Sequence, residues 1–230
     1  RNPFNTIENN IIGTINLIKS LKSKNVTKFI CFSSSEVYAP NSEKNLVFKP
    51  AKENNNLLVN FNTKPRDSYY LSKLINEKIV ALSGLRFLIL RPHNIYGPRM
   101  GNSHVIPELL QKIKSKKKCK IYSPNHSRSF CFIEDAINQI VKLSFSKKTD
   151  NQIFNIGNMR EEIKIYDLAK KIKKLLKNNC KLLKHDNTPG SPKRRVPNMT
   201  KTLKTTRLNR FTNLNNGLSK TANWYFNEKN

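Results

Sequence analysis

The sequence predicts an α/β protein whose strands run parallel and are joined by crossover helices. Three observations lead there. Segments with apolar residues at helical spacing alternate with short, uninterrupted apolar runs. The two strongest runs, KFICF (28–32) and FLIL (87–90), have strand length and end in serines or near a proline. No internal repeat interrupts the alternation, so a solenoid or propeller is not expected. A chain of 230 residues can bury one substantial core and a small second lobe.

Taken in order, residues 6–25 place Ile11, Ile12, Ile15, Ile18 and Leu21 near the 3.6-residue period, which predicts a helix. VTKFICFSSS (26–35) follows as a buried strand, and residues 40–66 as a polar loop rich in Asn and Lys. Residues 67–84 read as a helix, with Asp67 or Ser68 as its cap and Gly84 at its end. The run from Leu85 is a second strand, stopped by Pro92 and Gly97. A helix over 104–118, a short strand over 120–124 and a helix over 133–146 come next. They are followed by a strand over 152–158 and a strongly periodic helix over 164–178. The tail from Lys181 reads as irregular until a short helix that begins at Gly217.

Composition narrows the function. The formal net charge is +28, which draws attention to polyanions and to phosphorylated substrates. The lysines of residues 111–120 and 168–185 alternate with apolar residues at helical spacing, as on a solvated helix face. The aromatic residues are not interleaved with them as a base-stacking surface requires, so nucleic acid is not the expected partner, and an inactive fragment or basic polyanion-binding protein stands as the rival reading. Cys31, Cys119, Cys131 and Cys180 show no Cys-x-x-Cys spacing and read as reduced thiols of a cytoplasmic protein. His93, His104, His126 and His185 form no ligand cluster, so no metal is expected. The apolar runs are too short for a membrane-spanning helix.

The stretch CFSSSEVYAP (31–40) poses the chemical question, because it delivers three hydroxyls and a carboxylate to the end of a strand. In α/β sheets that is where ligands bind. Tyr69 and Lys73 stand four apart on the next helix, so both project from one face. An ammonium beside a phenol favours the phenolate and makes Tyr69 a candidate proton shuttle. Ser34, at the end of the preceding strand, is placed to hold the same substrate hydroxyl. A Tyr-x-x-x-Lys spacing alone is common; with SSSEVY before it and RPHNIYGPR after it, the pattern is specific.

That arrangement resembles the extended short-chain dehydrogenases, and among them the NAD-dependent nucleotide-sugar epimerases and dehydratases. The likeness runs through nearly the whole chain: NNIIGTINLI, FSSSEVY, YYLSKLINEKIV, LRPHNIYGPR, SRSFCFIEDAINQIV, FNIGN, PKRRVPNMTK and GLSKTANWY. It implies the later half of a Rossmann-like, doubly wound parallel sheet with a small α/β C-terminal lobe. Residues 1–100 would form the remaining NAD-binding part, and 101–230 mostly the substrate lobe, with some segments returning to the sheet. Tyr69 would take a proton from a sugar hydroxyl as hydride passes to NAD, Lys73 would hold the nicotinamide ribose, and Ser34 would bind the reacting hydroxyl. Ser35 and Asn94 would contact the nucleoside-diphosphate sugar, Arg128 and Arg195 would grip its diphosphate, and Asn10 would support the active-site backbone. Glu36 stands where dehydratases and glucuronate decarboxylases often carry glutamate, whereas residues 91–109 look most like epimerases, so the reaction stays open among the three. A homodimer through residues 6–25 and 67–84 is the family's habit.

Two departures stand out. The family opens with a Gly-x-x-Gly-x-x-Gly turn for the pyrophosphate, and no three of the seven glycines here fit it. The resemblance therefore implies a fragment or truncated product, one that folds poorly alone and binds NAD weakly. Ala39 replaces the glycine usual after the tyrosine of VYG.

Overall fold

The computed structural model describes residues 2–39, 50–59 and 64–227. Much of the polar loop expected between Pro40 and Arg66 lies outside them.

Helix α1 spans Pro3–Leu21, three residues earlier at its start than the periodicity alone suggests. Asn2 sets that start: its side chain accepts from Phe4 N at 3.0 Å, and Pro3 supplies a fixed φ where no amide is needed. Helix α2 spans Asp67–Ala81 and packs along α1. Asn10 lies between the two helices, donating to Ser72 Oγ at 2.8 Å and accepting from Asn76 Nδ2 at 3.1 Å. The cap of α2 is Arg66, not Asp67 or Ser68. Those two instead turn back, Asp67 accepting from Lys64 N at 2.9 Å and Ser68 donating to Pro65 O at 2.8 Å. They fasten the preceding turn, which positions the first residues of α2.

Strands β1 (Phe29–Phe32), β2 (Phe87–Pro92) and β7 (Gln152–Ile156) form a parallel sheet in the order β1-β2-β7. Side chains of β2 alternate between two cores. Leu88 and Leu90 pack with Phe154, Ile156 and Leu143 beneath helix α4 (Ile133–Ser144), while Ile89 packs with Cys31, Ile18 and Val80 under α1 and α2. Both faces of β2 are thus buried, which explains its uninterrupted apolar run. β1 differs. Ile30 and Phe32 point to the α4 side but lie beyond the reach of that helix, and remain 36% and 48% exposed.

The largest core belongs to the C-terminal lobe. It gathers helix α3 (Val105–Ser115), strand β4 (Lys118–Ile121), helix α5 (Ile165–Leu175) and helix α7 (Leu214–Asn227). The short parallel pair β3 (Ile95–Tyr96) and β6 (Cys131–Phe132) joins this lobe to the sheet. The tail is more regular than its sequence suggests. β9 (Lys181–Lys184) pairs in parallel with β4, setting Leu182 beside Cys119. A further small sheet has the order β10-β5-β8, from Arg194–Arg195, Ser127–Ser129 and Glu162–Lys164, and helix α6 spans Thr200–Thr206. Strands of two to four residues carry too little alternation to be legible; their partners make them strands.

Beneath the strand ends lies a buried polar network. Arg91 on β2 forms a two-pronged pair with Glu77 on α2, at 2.8 and 2.6 Å, and donates to Tyr38 Oη at 2.7 Å. Tyr38 donates to Asn155 Oδ1 at 3.0 Å, and His93 Nε2 reaches the same oxygen at 3.1 Å. Because Asn155 Oδ1 can only accept, the imidazole proton sits on Nε2. Burial, aided by the charges of Arg195 and Arg91, pushes His93 down to about 3, although the Asn155 bond opposes this. The unfolded chain therefore binds a proton that the folded chain refuses. Stability contributed by His93 is present above about 6.5 and is lost as pH falls toward about 3. Melting temperatures measured between those limits should fall with acidity, and less steeply in His93→Gln. An unchanged slope in that variant would contradict the assignment.

Candidate active site

The site is built at the C-terminal end of β1. Ser33 N donates to Leu90 O at 2.7 Å, the last rung before the chain leaves the sheet. Ser34 is extended and caps a 3-10 turn over Ser35–Tyr38, its hydroxyl accepting from Glu36 N at 3.1 Å. Val37 and Tyr38 are buried and anchor the turn, which leaves the half-buried Glu36 in the wall of a cleft. That cleft has a volume of about 1120 Å³ and is lined by Ser34, Glu36, Arg66, Tyr69, Asn94 and Arg195 among others.

Ser34 and Tyr69 share this cleft, and Tyr69 is 39% exposed. Lys73 lies behind the phenol, 5.9 Å from its ring centroid, and donates to Phe32 O at 2.9 Å. One ammonium thus links the helix to the strand end. Serine, phenol and amine are brought to one place by β1 and α2 together. Ser35 also borders the cleft but is only 5% exposed, which leaves little of it to meet a substrate.

The arginines are arranged differently from the sequence expectation. Arg195 is engaged with Glu36, its two Nη atoms at 2.9 and 3.0 Å from the carboxylate oxygens. Arg66 Nη2 stands 3.6 Å from the same carboxylate. Burial opposes ionisation of Glu36, but the charges of Arg195 and Arg66 outweigh it and hold the carboxyl below its usual range. Arg128 pairs with Arg195 across β5 and β10 and donates to Ser127 O at 2.7 Å and Ser191 Oγ at 2.9 Å. Burial, then the charge of Arg195, pushes Arg128 down to about 9 against the pull of Glu36. Such a crowded cation is stabilised by an incoming anion. Arg128 lines an adjoining cleft of about 360 Å³ with Lys120, Ser123, Thr188 and Ser191.

Asn94 takes a left-handed conformation, φ 43°, and its amide donates to Ser129 O at 3.0 Å and Arg195 O at 3.3 Å. Its donors hold the two arginine strands in place, so Asn94 acts on the backbone first. Sequence reasoning missed Arg66, whose signal was its place three residues before Tyr69, at the mouth of α2. It also missed the Glu36–Arg195 pair, which joins residues 159 apart in sequence.

The residues at the strand end fit the nicotinamide half of a dinucleotide. Tyr69 lines the cleft, Lys73 lies behind it with its ammonium on Phe32 O, and Ser33 Oγ is buried with no hydrogen-bond partner among the described residues.

Several known proteins resemble this chain. The family model of the NAD dependent epimerase/dehydratase family matches residues 1–157. UDP-glucuronic acid decarboxylase 5 of Arabidopsis thaliana is 28% identical over 210 residues, covering 87% of this chain and 58% of the relative. The dTDP-D-glucose 4,6-dehydratase of Dictyostelium discoideum is 31% identical over 174 residues, covering 72% of this chain and 39% of the relative. The chain thus spans only about two to three fifths of the length of these curated relatives. Among solved structures, the UDP-N-acetylglucosamine 4-epimerase of Methanobrevibacter ruminantium superposes with a TM-score of 0.82 at 23% identity, over 96% of this chain and 70% of that one. At that identity the likeness shows the fold, an α/β sheet with parallel strands.

Proposed function

This chain belongs to the NAD dependent epimerase/dehydratase family, and from that membership we propose that it serves the redox-neutral remodelling of a nucleoside-diphosphate sugar, with uronate decarboxylation as the favoured reaction. NAD, when bound, would supply the hydride acceptor and donor for the sugar. Tyr69 accepts the proton of the sugar hydroxyl, Ser34 holds that hydroxyl, and Lys73 stands behind the phenol with its ammonium on the strand end. Arg128, with Ser191 behind it, receives the diphosphate.

The observation that carries the choice among reactions is the two-pronged Glu36–Arg195 pair in the wall of the cleft. A 4,6-dehydratase needs a base to remove the proton beside the new ketone. Glu36, held ionised and neutralised by two guanidinium groups, is a poor base. Decarboxylation needs none. A ketone next to a carboxylate-bearing carbon lets the carbon–carbon bond break, carbon dioxide leave and its electron pair pass to the ketone oxygen. A proton then returns to the carbon, and Arg195 stabilises the developing oxyanion. Epimerisation remains the second reading, favoured by the same serine, phenol and amine.

The test is product analysis by proton NMR with this chain, NAD and UDP-glucuronate. Loss of the carboxylate as carbon dioxide is expected. In Glu36→Gln, turnover and substrate affinity should each change only a few-fold, because decarboxylation asks no base of Glu36; a loss of about 100-fold or more would mark the carboxylate as the base and favour the dehydratase. An inverted uronate that keeps its carboxylate would establish epimerisation instead. No conversion of any nucleotide sugar would overturn the proposal.

A further inference from the structure

Arg66 is ion-paired with Glu36 but makes no hydrogen bond to it. Its side chain is 50% exposed and 3.6 Å from Glu36 Oε1, longer than a hydrogen bond. Both oxygens of that carboxylate are already taken by Arg195. Glu36 therefore requires one guanidinium and has two beside it. The surplus is placed with care: Arg66 precedes α2 by one residue, on the helix that carries Tyr69, and borders both the large cleft and the smaller one that holds Arg128.

Charge points to a second anion. Arg66, Arg128, Arg195, Lys64 and Lys120 line the two clefts, and so does Lys112, which is paired with Glu108 on α3. Against the other five stand Glu36 and Asp67, an excess of three positive charges. A diphosphate diester carries about two negative charges. One cationic site is left over, and Arg66 is the arginine that borders both the Tyr69 cleft and the one that holds Arg128.

We propose that Arg66 is a specificity-determining residue that selects sugars bearing a carboxylate next to the reacting carbon. The inference rests on the remodelling reaction assigned to this cleft. With such a substrate bound, two carboxylates, Glu36 and that of the sugar, are separated by two guanidinium groups, Arg195 and Arg66. The planar fork of Arg66 matches a carboxylate in a way that a neutral hydroxymethyl group cannot exploit. The surplus cation also offsets the repulsion that Glu36 exerts on an acidic sugar.

Calorimetric titration of the chain with UDP-glucuronate, UDP-glucose and UDP separates the possibilities. In Arg66→Ala, affinity for UDP-glucuronate should fall about 10- to 100-fold, while UDP-glucose and UDP stay within about twofold. Arg66→Lys, which keeps the charge and loses the fork, should fall between. Equal weakening of all three ligands would make Arg66 a diphosphate or structural residue and overturn the proposal, as would no weakening at all. A wild-type chain that binds the two UDP-sugars without preferring the uronate defeats the Arg66 proposal alone. One that binds no nucleotide sugar defeats the functional reading beneath it as well.

Discussion

Replacing Arg91 by alanine should lower the unfolding free energy by about 3–5 kcal/mol, the effect expected when one partner of a buried ion pair is removed. Arg91 and Glu77 are both nearly inaccessible to water. Without the guanidinium, Glu77 is left as a buried charge between α2 and the sheet, and Tyr38 loses the donor to its hydroxyl. Urea unfolding of the variant measures the loss, and a change below about 1 kcal/mol would show that the pair is not load-sharing in this way. The double variant Arg91→Met with Glu77→Leu should recover most of the stability, because it removes both charges and fills the space. Function should suffer even there. Tyr38 ends the turn that aims Glu36, and it is tied to the sheet through Arg91 and Asn155.

The second large effect concerns chemistry rather than folding. Tyr69→Phe should reduce turnover of the nucleotide sugar by about 100- to 10,000-fold, the range for loss of a positioned proton-transfer group. The variant keeps the ring, so packing over Lys73 and the affinity for substrate should change little. The contrast is diagnostic: kcat collapses while the dissociation constant for the nucleotide sugar, read by calorimetry, holds. A Tyr69→Phe protein with undiminished turnover would remove the phenol from the reaction and leave the cleft with a different purpose.

How far these sites were legible differs by residue. Ser34, Glu36, Tyr69 and Lys73 could be read because local rules put them where they are: a strand end, a capped turn and one face of a helix. The tail could not. β9 and β10 exist only because β4 and β5 offer edges to them, and nothing in four residues announces a distant partner. The helix α1 start was missed for a smaller reason, an Asn–Pro cap standing before the apolar period begins.

The amino-acid order alone therefore specified an α/β protein, the alternation of its main helices and strands, and the serine, phenol and amine on neighbouring elements, because each of these is a short-range matter of period and capping. Which charges meet was settled only in three dimensions. Glu36 and Arg195 lie 159 residues apart, and a single small sheet brings Arg195 beside Arg128 and into the cleft. Coulomb attraction acts over ångströms, not along the chain, so the Glu36–Arg195 pairing has no signature in the order of the residues.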